Sequence, residues 1–99
     1  MEKGGSVYMM CSLNNRAIYT GVTSDLVSRV LQHKNKINPN SFTATYNCTK
    51  LVYYCFYEII EAAIEEEKRI KGGNRKQKET LINRMNPEWK DLWEEIKNW

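Results

Sequence analysis

The sequence predicts an α/β (α+β) fold: a small three-stranded sheet flanked by helices, in the order β-β-α-β-α-α-α. Three observations predict it. Two short runs rich in tyrosine, valine and methionine are joined by Asn14-Asn15, a single unbroken apolar and aromatic run lies at Leu51 to Tyr57, and apolar residues elsewhere recur at helical intervals.

Ser6 to Ser12 and Arg16 to Gly21 read as strands, and Leu13-Asn14-Asn15 suits a tight hairpin because asparagine tolerates positive φ. Thr23-Ser24-Asp25 supplies capping side chains for a helix over about Leu26 to Lys34, with Leu26, Val27, Val30 and Leu31 as its apolar stripe. Asn35 to Lys50 is polar and rich in breakers, which predicts a surface loop. Leu51 to Tyr57 suits a strand buried on both faces and is expected at the centre of the sheet. Glu58 to Lys71 follows as a helix with Ile59, Ile60, Ala63, Ile64 and Ile70 inward, stopped by Gly72-Gly73. Gln77 to Met85 predicts a short helix, and Asn86-Pro87 opens a last one on which Trp89, Leu92, Trp93 and Ile96 recur.

Composition narrows the classes. At 99 residues, the chain 1–99 is expected to form a single domain, and its 41% hydrophobic and 27% charged residues are ordinary for a globular protein. No apolar run approaches the roughly 20 residues of a membrane helix, and the N-terminus lacks a secretory apolar stretch, so a cytoplasmic location without membrane contact is expected. Cys11, Cys48 and Cys55 have no Cys-x-x-Cys spacing and are expected to be reduced thiols, two of them in strand-like runs. The net charge of +3 is modest, but its distribution is uneven. Lys34 and Lys36 follow the first helix, and Arg69, Lys71, Arg75, Lys76 and Lys78 crowd one stretch. Lys34, Lys71, Arg75 and Lys76 are the candidates for contact with a DNA backbone; a solvated helix surface is the alternative.

Tyr8 and Tyr19 lie eleven positions apart, Arg29 follows ten positions after Tyr19, and His33, the sole histidine, four after that. Together with Gly21, this spacing resembles the opening of the GIY-YIG nuclease superfamily, although Ser6, Val7 and Thr20 replace its usual letters. Glu67-Lys68-Arg69-Ile70-Lys71-Gly72 and Asn86-Pro87-Glu88-Trp89 with Asp91-Leu92 are similar to runs in small stand-alone GIY-YIG proteins of bacteria. The motifs occur in family order over nearly the whole chain, and the fold that the resemblance implies agrees with the pattern reading.

The resemblance implies a single glutamate that holds one divalent cation, magnesium or manganese, with tyrosines and an arginine around a scissile phosphate. It carries the general base onto Tyr19, its partner role onto Tyr8, the phosphate clamp onto Arg29 and a share in proton transfer onto His33. Physical chemistry is compatible: guanidinium suits a phosphate oxygen, imidazole with an ordinary pKa of about 6.5 suits proton transfer, and a phenol of pKa about 10 needs nearby positive charge. Among Glu65, Glu66 and Glu67, an advance of about 100° per residue puts Glu67 roughly 20° from the centre of the isoleucine stripe and Glu66 about 80° away. Glu67 is the expected metal ligand and Glu66 the reserve, because alignment through Ile70-Lys71 with more distant relatives selects Glu66. A late polar residue near the metal is unassigned among Asn74, Asn83 and Asn86. Gly21 is expected to ease a turn or a close approach, and Thr23 to act as a cap.

The expected function is metal-dependent endonucleolytic hydrolysis of phosphodiester bonds in DNA, with specificity supplied by a protein partner. Two alternatives stand beside it: a nucleic-acid-binding module with little or no turnover, and a protein-interaction subunit using a helix that carries Trp89 and Trp93.

Overall fold

The structure, a computed structural model, describes residues 4–99. Strands β1 (Gly5–Cys11), β2 (Ile18–Thr23) and β3 (Lys50–Tyr57) form an antiparallel sheet in the order β2-β1-β3. The helices are α1 (Leu26–Lys34), α2 (Phe42–Thr45), α3 (Ile60–Lys71), α4 (Arg75–Met85) and α5 (Trp93–Ile96). The predicted α+β class holds, with the short α2 added to the predicted order.

The hairpin turns as the asparagines require. Asn15 has φ 61°, its amide donates to Ser12 O at 2.9 Å, and the Ser12 amide donates to Ala17 O at 3.0 Å. The turn runs longer than expected, so the second strand begins at Ile18 rather than Arg16. Asp25 caps α1 by accepting from the Ser28 amide at 3.2 Å, leaving Thr23 to bond Asp25's own backbone.

Alternation along β1 divides the interior. Val7, Met9 and Cys11 face a core with Ala63, Ile70 and Ile82, while Tyr8 and Met10 face a second core with Leu26, Val30, Leu92 and Ile96. Every residue of β1 is buried, so β1 is the centre of the sheet. The expectation that Leu51 to Tyr57 would be central is corrected: β3 is an edge strand, and its Phe56 is 63% exposed. Its apolar run arises because its first half is covered by chain rather than by another strand. The Leu92 amide donates to Leu51 O at 2.7 Å, the Leu51 amide donates to Asp91 Oδ1 at 3.1 Å, and Asn86 Nδ2 donates to Val52 O at 3.2 Å. The Asn86 to Leu92 run thus satisfies backbone groups that an edge strand would leave open. Lys34 fastens this cover through Asp91 and through Thr49 O.

Two further expectations are corrected. The 35–50 segment is not all loop, because Ser41 caps α2 by accepting from the Ala44 amide at 3.2 Å. The last helix spans only Trp93–Ile96: Trp89 has φ 55°, which no helix permits, and its indole donates to Asn83 Oδ1 at 2.7 Å. Trp89 packs on the first core and Trp93 on the second, so they form no common face. No helix among the described residues is long and apolar enough to cross a membrane.

Replacing Asp91 with alanine leaves the Leu51 amide and the Lys34 ammonium without their acceptor. Urea unfolding should show a loss of about 1–2 kcal/mol. An unchanged midpoint would show that the tail does not hold the edge of β3.

Candidate functional site

Tyr8 is the innermost group of the site. It is 0% exposed, and Gly21 opposite it in the ladder makes room for its ring: a Cβ at Gly21 would lie 2.5 Å from the Tyr8 hydroxyl. Gly21 has no positive φ, so its role is space rather than a turn. Burial drives the Tyr8 phenol well above its usual pKa, an effect that the Arg29 charge opposes and the Glu67 charge reinforces.

A buried hydroxyl needs an acceptor, and His33 Nε2 lies 2.8 Å from it. His33 Nδ1 is 2.9 Å from Thr43 Oγ1, which is 3.1 Å from Ser41 Oγ. Burial, then the Arg29 charge, holds the His33 imidazole down to about 4, so the ring is neutral at pH 7. Tyr8 keeps its proton and donates to Nε2; the ring's proton is then on Nδ1 and is donated to Thr43. This chain of bonds joins β1, α1 and α2.

Tyr19 sits at the mouth. Its ring centroid is 6.3 Å from Tyr8, 5.5 Å from His33 and 6.2 Å from Phe42. Tyr19, Arg29, His33, Lys36 and Thr43 line one cleft of about 300 Å³. Arg29 is exposed there and has no carboxylate partner among the described residues.

Burial does not separate the two glutamates, whose side chains are 14% exposed at Glu67 and 19% at Glu66. The buried stripe of α3 is Ala63 and Ile70, since Ile59 precedes the helix and is 48% exposed. That recentres the helical phase, and the two carboxylates flank the stripe on opposite sides. Partners do separate them. Glu66 binds Arg69 through two bonds of 2.6 Å, which holds its carboxyl below the usual range, and its charge acts on Tyr53 and Tyr57. Glu67 Oε2 pairs with Lys71 Nζ at 3.0 Å, and that ammonium lies 5.5 Å from the Tyr19 ring centroid. The pair itself stabilises α3 by only about 0.3–0.5 kcal/mol, so its consequence is positional. Glu67, through Lys71, adjoins the tyrosines.

The donor set bears on a metal. No cluster of three His, Cys, Asp or Glu side chains among the described residues could cage an ion. Glu67 Oε1 has no partner among them, and Thr20, whose buried hydroxyl is also unpartnered, lines with Lys71 a second cleft, distinct from that of Arg29 and His33. One hard oxygen ligand fits a hydrated divalent cation that takes its other ligands from water and phosphate.

All the other candidates but Lys76 are engaged elsewhere. Arg75 bonds Glu79 at 2.8 Å and the Arg16 and Asn15 carbonyls, which clasps the hairpin turn to α4. Lys34 holds the tail, and Lys76 is exposed on α4. Asn74 caps α4, Asn83 accepts from Trp89, and buried Asn86 bonds Val52 O and Lys90, so each of the three asparagines serves the fold. Sequence reasoning missed Thr43 and Phe42; Ser41, a capping residue followed by Phe42-Thr43-Ala44-Thr45 without a breaker, was the available signal.

The folded protein keeps His33 neutral down to about pH 4, whereas an unfolded imidazole binds a proton near 6.5. The unfolded state therefore takes up more protons in that window, and stability must fall as pH drops from about 6.5 towards 4. Urea midpoints across this window should fall more steeply in the parent than in His33→Asn; parallel curves would show that His33 titrates normally.

The model of the GIY-YIG catalytic domain matches residues 4–81. The chain is also similar to the solution NMR structure of the UPF0213 protein BH0048 from Bacillus halodurans, at 22% identity and a TM-score of 0.57, covering 90% of this chain and 93% of that one. That likeness bears on the fold, which it matches. No curated protein sequence matches the chain. With a family model spanning well over half of its length, the chain belongs to the GIY-YIG family of nuclease-type domains.

Proposed function

We propose that the protein is a metal-dependent endonuclease that hydrolyses phosphodiester bonds in DNA in the cytoplasm, with magnesium or manganese as its cation. The observation that carries this reading is the convergence of Tyr19, Arg29 and His33 on one cleft, with Glu67 joined to Tyr19 through Lys71. Glu67 would hold the cation, which supplies charge neutralisation at the phosphate when bound.

The side chains divide the remaining work. Tyr8 is fully buried and cannot meet a substrate, whereas Tyr19 lines the cleft, so Tyr19, acting as its phenolate, is the oxygen that takes the proton of the attacking water and becomes the phenol. The Lys71 ammonium lies 5.5 Å from the centroid of its ring. Water oxygen bonds to phosphorus as the bond to the leaving sugar oxygen breaks, that oxygen takes a proton from solvent water, and Arg29 neutralises charge on a non-bridging oxygen. Tyr8 and His33 hold the cleft's inner wall and fix the position of Tyr19. Lys71 and Lys76 extend the positive surface available to the DNA backbone.

A binding module with little turnover is the second reading. It is supported by the Lys71 ammonium, which pairs with the Glu67 carboxylate at 3.0 Å and so competes with a cation for it.

Incubation with branched, nicked and single-stranded DNA, with magnesium or manganese, separates the two. Cleavage should fall by about 100-fold or more in Tyr19→Phe and in Glu67→Gln, and much less in Glu66→Gln. Cleavage that persists in Glu67→Gln contradicts the assignment, and salt-sensitive binding without cleavage under either ion selects the binding module.

A further inference from the structure

The 35–49 segment exposes aromatic surface that the proposed chemistry does not use. Thr43, 2% exposed, anchors α2 inward through His33, and its carbonyl accepts from the Cys48 amide at 2.8 Å. Phe42 and Tyr46 instead remain 44% and 54% exposed, with ring centroids 4.6 Å apart. These rings stand between two clefts. One, of about 500 Å³, is lined by Arg16, Phe42, Tyr46, Arg75 and Lys78, a size within the roughly 300–1,000 Å³ range of small-ligand sites. The other, of about 280 Å³, is lined by Tyr19, Thr20, Phe42, Lys71 and Lys78. Phe42 and Lys78 belong to both, so a continuous trough leads from Tyr19 to Tyr46.

Neither cleft has an acidic lining residue among those described. Arg75 is committed to the turn carbonyls and Glu79, but Arg16 is exposed without a carboxylate partner among the described residues. Lys78 contributes an ammonium bonded only to a carbonyl, that of Gly73 at 2.9 Å. Cations beside exposed aromatic faces suit a polyanion whose bases are free to stack. A duplex does not offer such bases, because each is already covered by its neighbours.

We infer that this trough binds single-stranded nucleic acid, with an unpaired base stacked on the Phe42–Tyr46 shelf and the adjoining phosphates on Arg16 and Lys78, so that the strand continues towards Tyr19. The inference deepens the nuclease reading by naming the strand class its site would receive. It does not need turnover, and its test is made without a divalent cation.

Fluorescence anisotropy in chelator, with labelled oligo-deoxythymidine, oligo-uridine and a DNA duplex of equal length, provides that test. The single strands should bind more tightly than the duplex by about tenfold or more. Tyr46→Ala should weaken single-strand binding by roughly 5- to 150-fold, while Tyr46→Trp retains it and adds tryptophan quenching on binding. Leu13→Ala, at a hairpin residue that is 78% exposed, should change nothing. Equal use of the two oligomers means that the shelf reads only the base, and preference for one means that the sugar is also contacted; both support stacking. Equal or tighter binding of duplex, absence of oligomer binding, or unchanged affinity in Tyr46→Ala overturns the inference. Stacked binding with no cleavage when magnesium or manganese is added defeats the nuclease reading alone, and cleavage indifferent to Tyr46→Ala defeats the shelf alone.

Discussion

Tyr8 lies wholly inside the protein with its hydroxyl bonded to His33, and the arrangement of the site follows from satisfying that one phenol. An unpaired hydroxyl there would cost about 1–3 kcal/mol. His33 accepts its proton only because Gly21 leaves the ring room and because Thr43 takes the imidazole's own proton. The bond therefore ties the central strand to α1 and, through Thr43, the 35–49 segment to both. Tyr19 rests against the same imidazole, so the position of the exposed phenol depends on the buried one.

The electrostatics have a comparable economy. Arg29 and Lys71 bring positive charge to either side of Tyr19, and Glu67 is the carboxylate whose field reaches Tyr8. His33, kept neutral, adds none at pH 7. A phosphate entering the cleft meets the Arg29 guanidinium rather than a charged imidazole. A divalent ion and Lys71 would share Glu67, which makes the carboxylate the point where metal and protein charge meet.

Much of this was legible in the chain. The alternating runs, the hairpin asparagines and the helical stripes located the strands and the two long helices, and the spacing of Tyr8, Tyr19 and Arg29 pointed to one site. What escaped depended on tertiary contacts. An apolar run such as Leu51 to Tyr57 reads as central whether its edge is covered by a strand or by the Asn86 to Leu92 tail, because pattern reports burial and not its agent. The Trp89 and Trp93 interval looked helical although Trp89 adopts a left-handed backbone. Ile59 distorted the phase of α3 because it lies just outside the helix, and only the partners of Glu66 and Glu67 distinguish them. A four-residue helix such as α2 has no period to detect, and its cap was its one local signal.

The central claim is that a hydrated divalent ion belongs at Glu67, beside Tyr19. Paramagnetic broadening of amide resonances during titration with manganese tests it without any substrate. The account predicts that Glu67, Lys71 and the Tyr19 to Gly21 segment broaden first, and that Glu67→Gln removes the effect. Broadening centred on Glu66 and Arg69, or a pattern indifferent to Glu67→Gln, would contradict it.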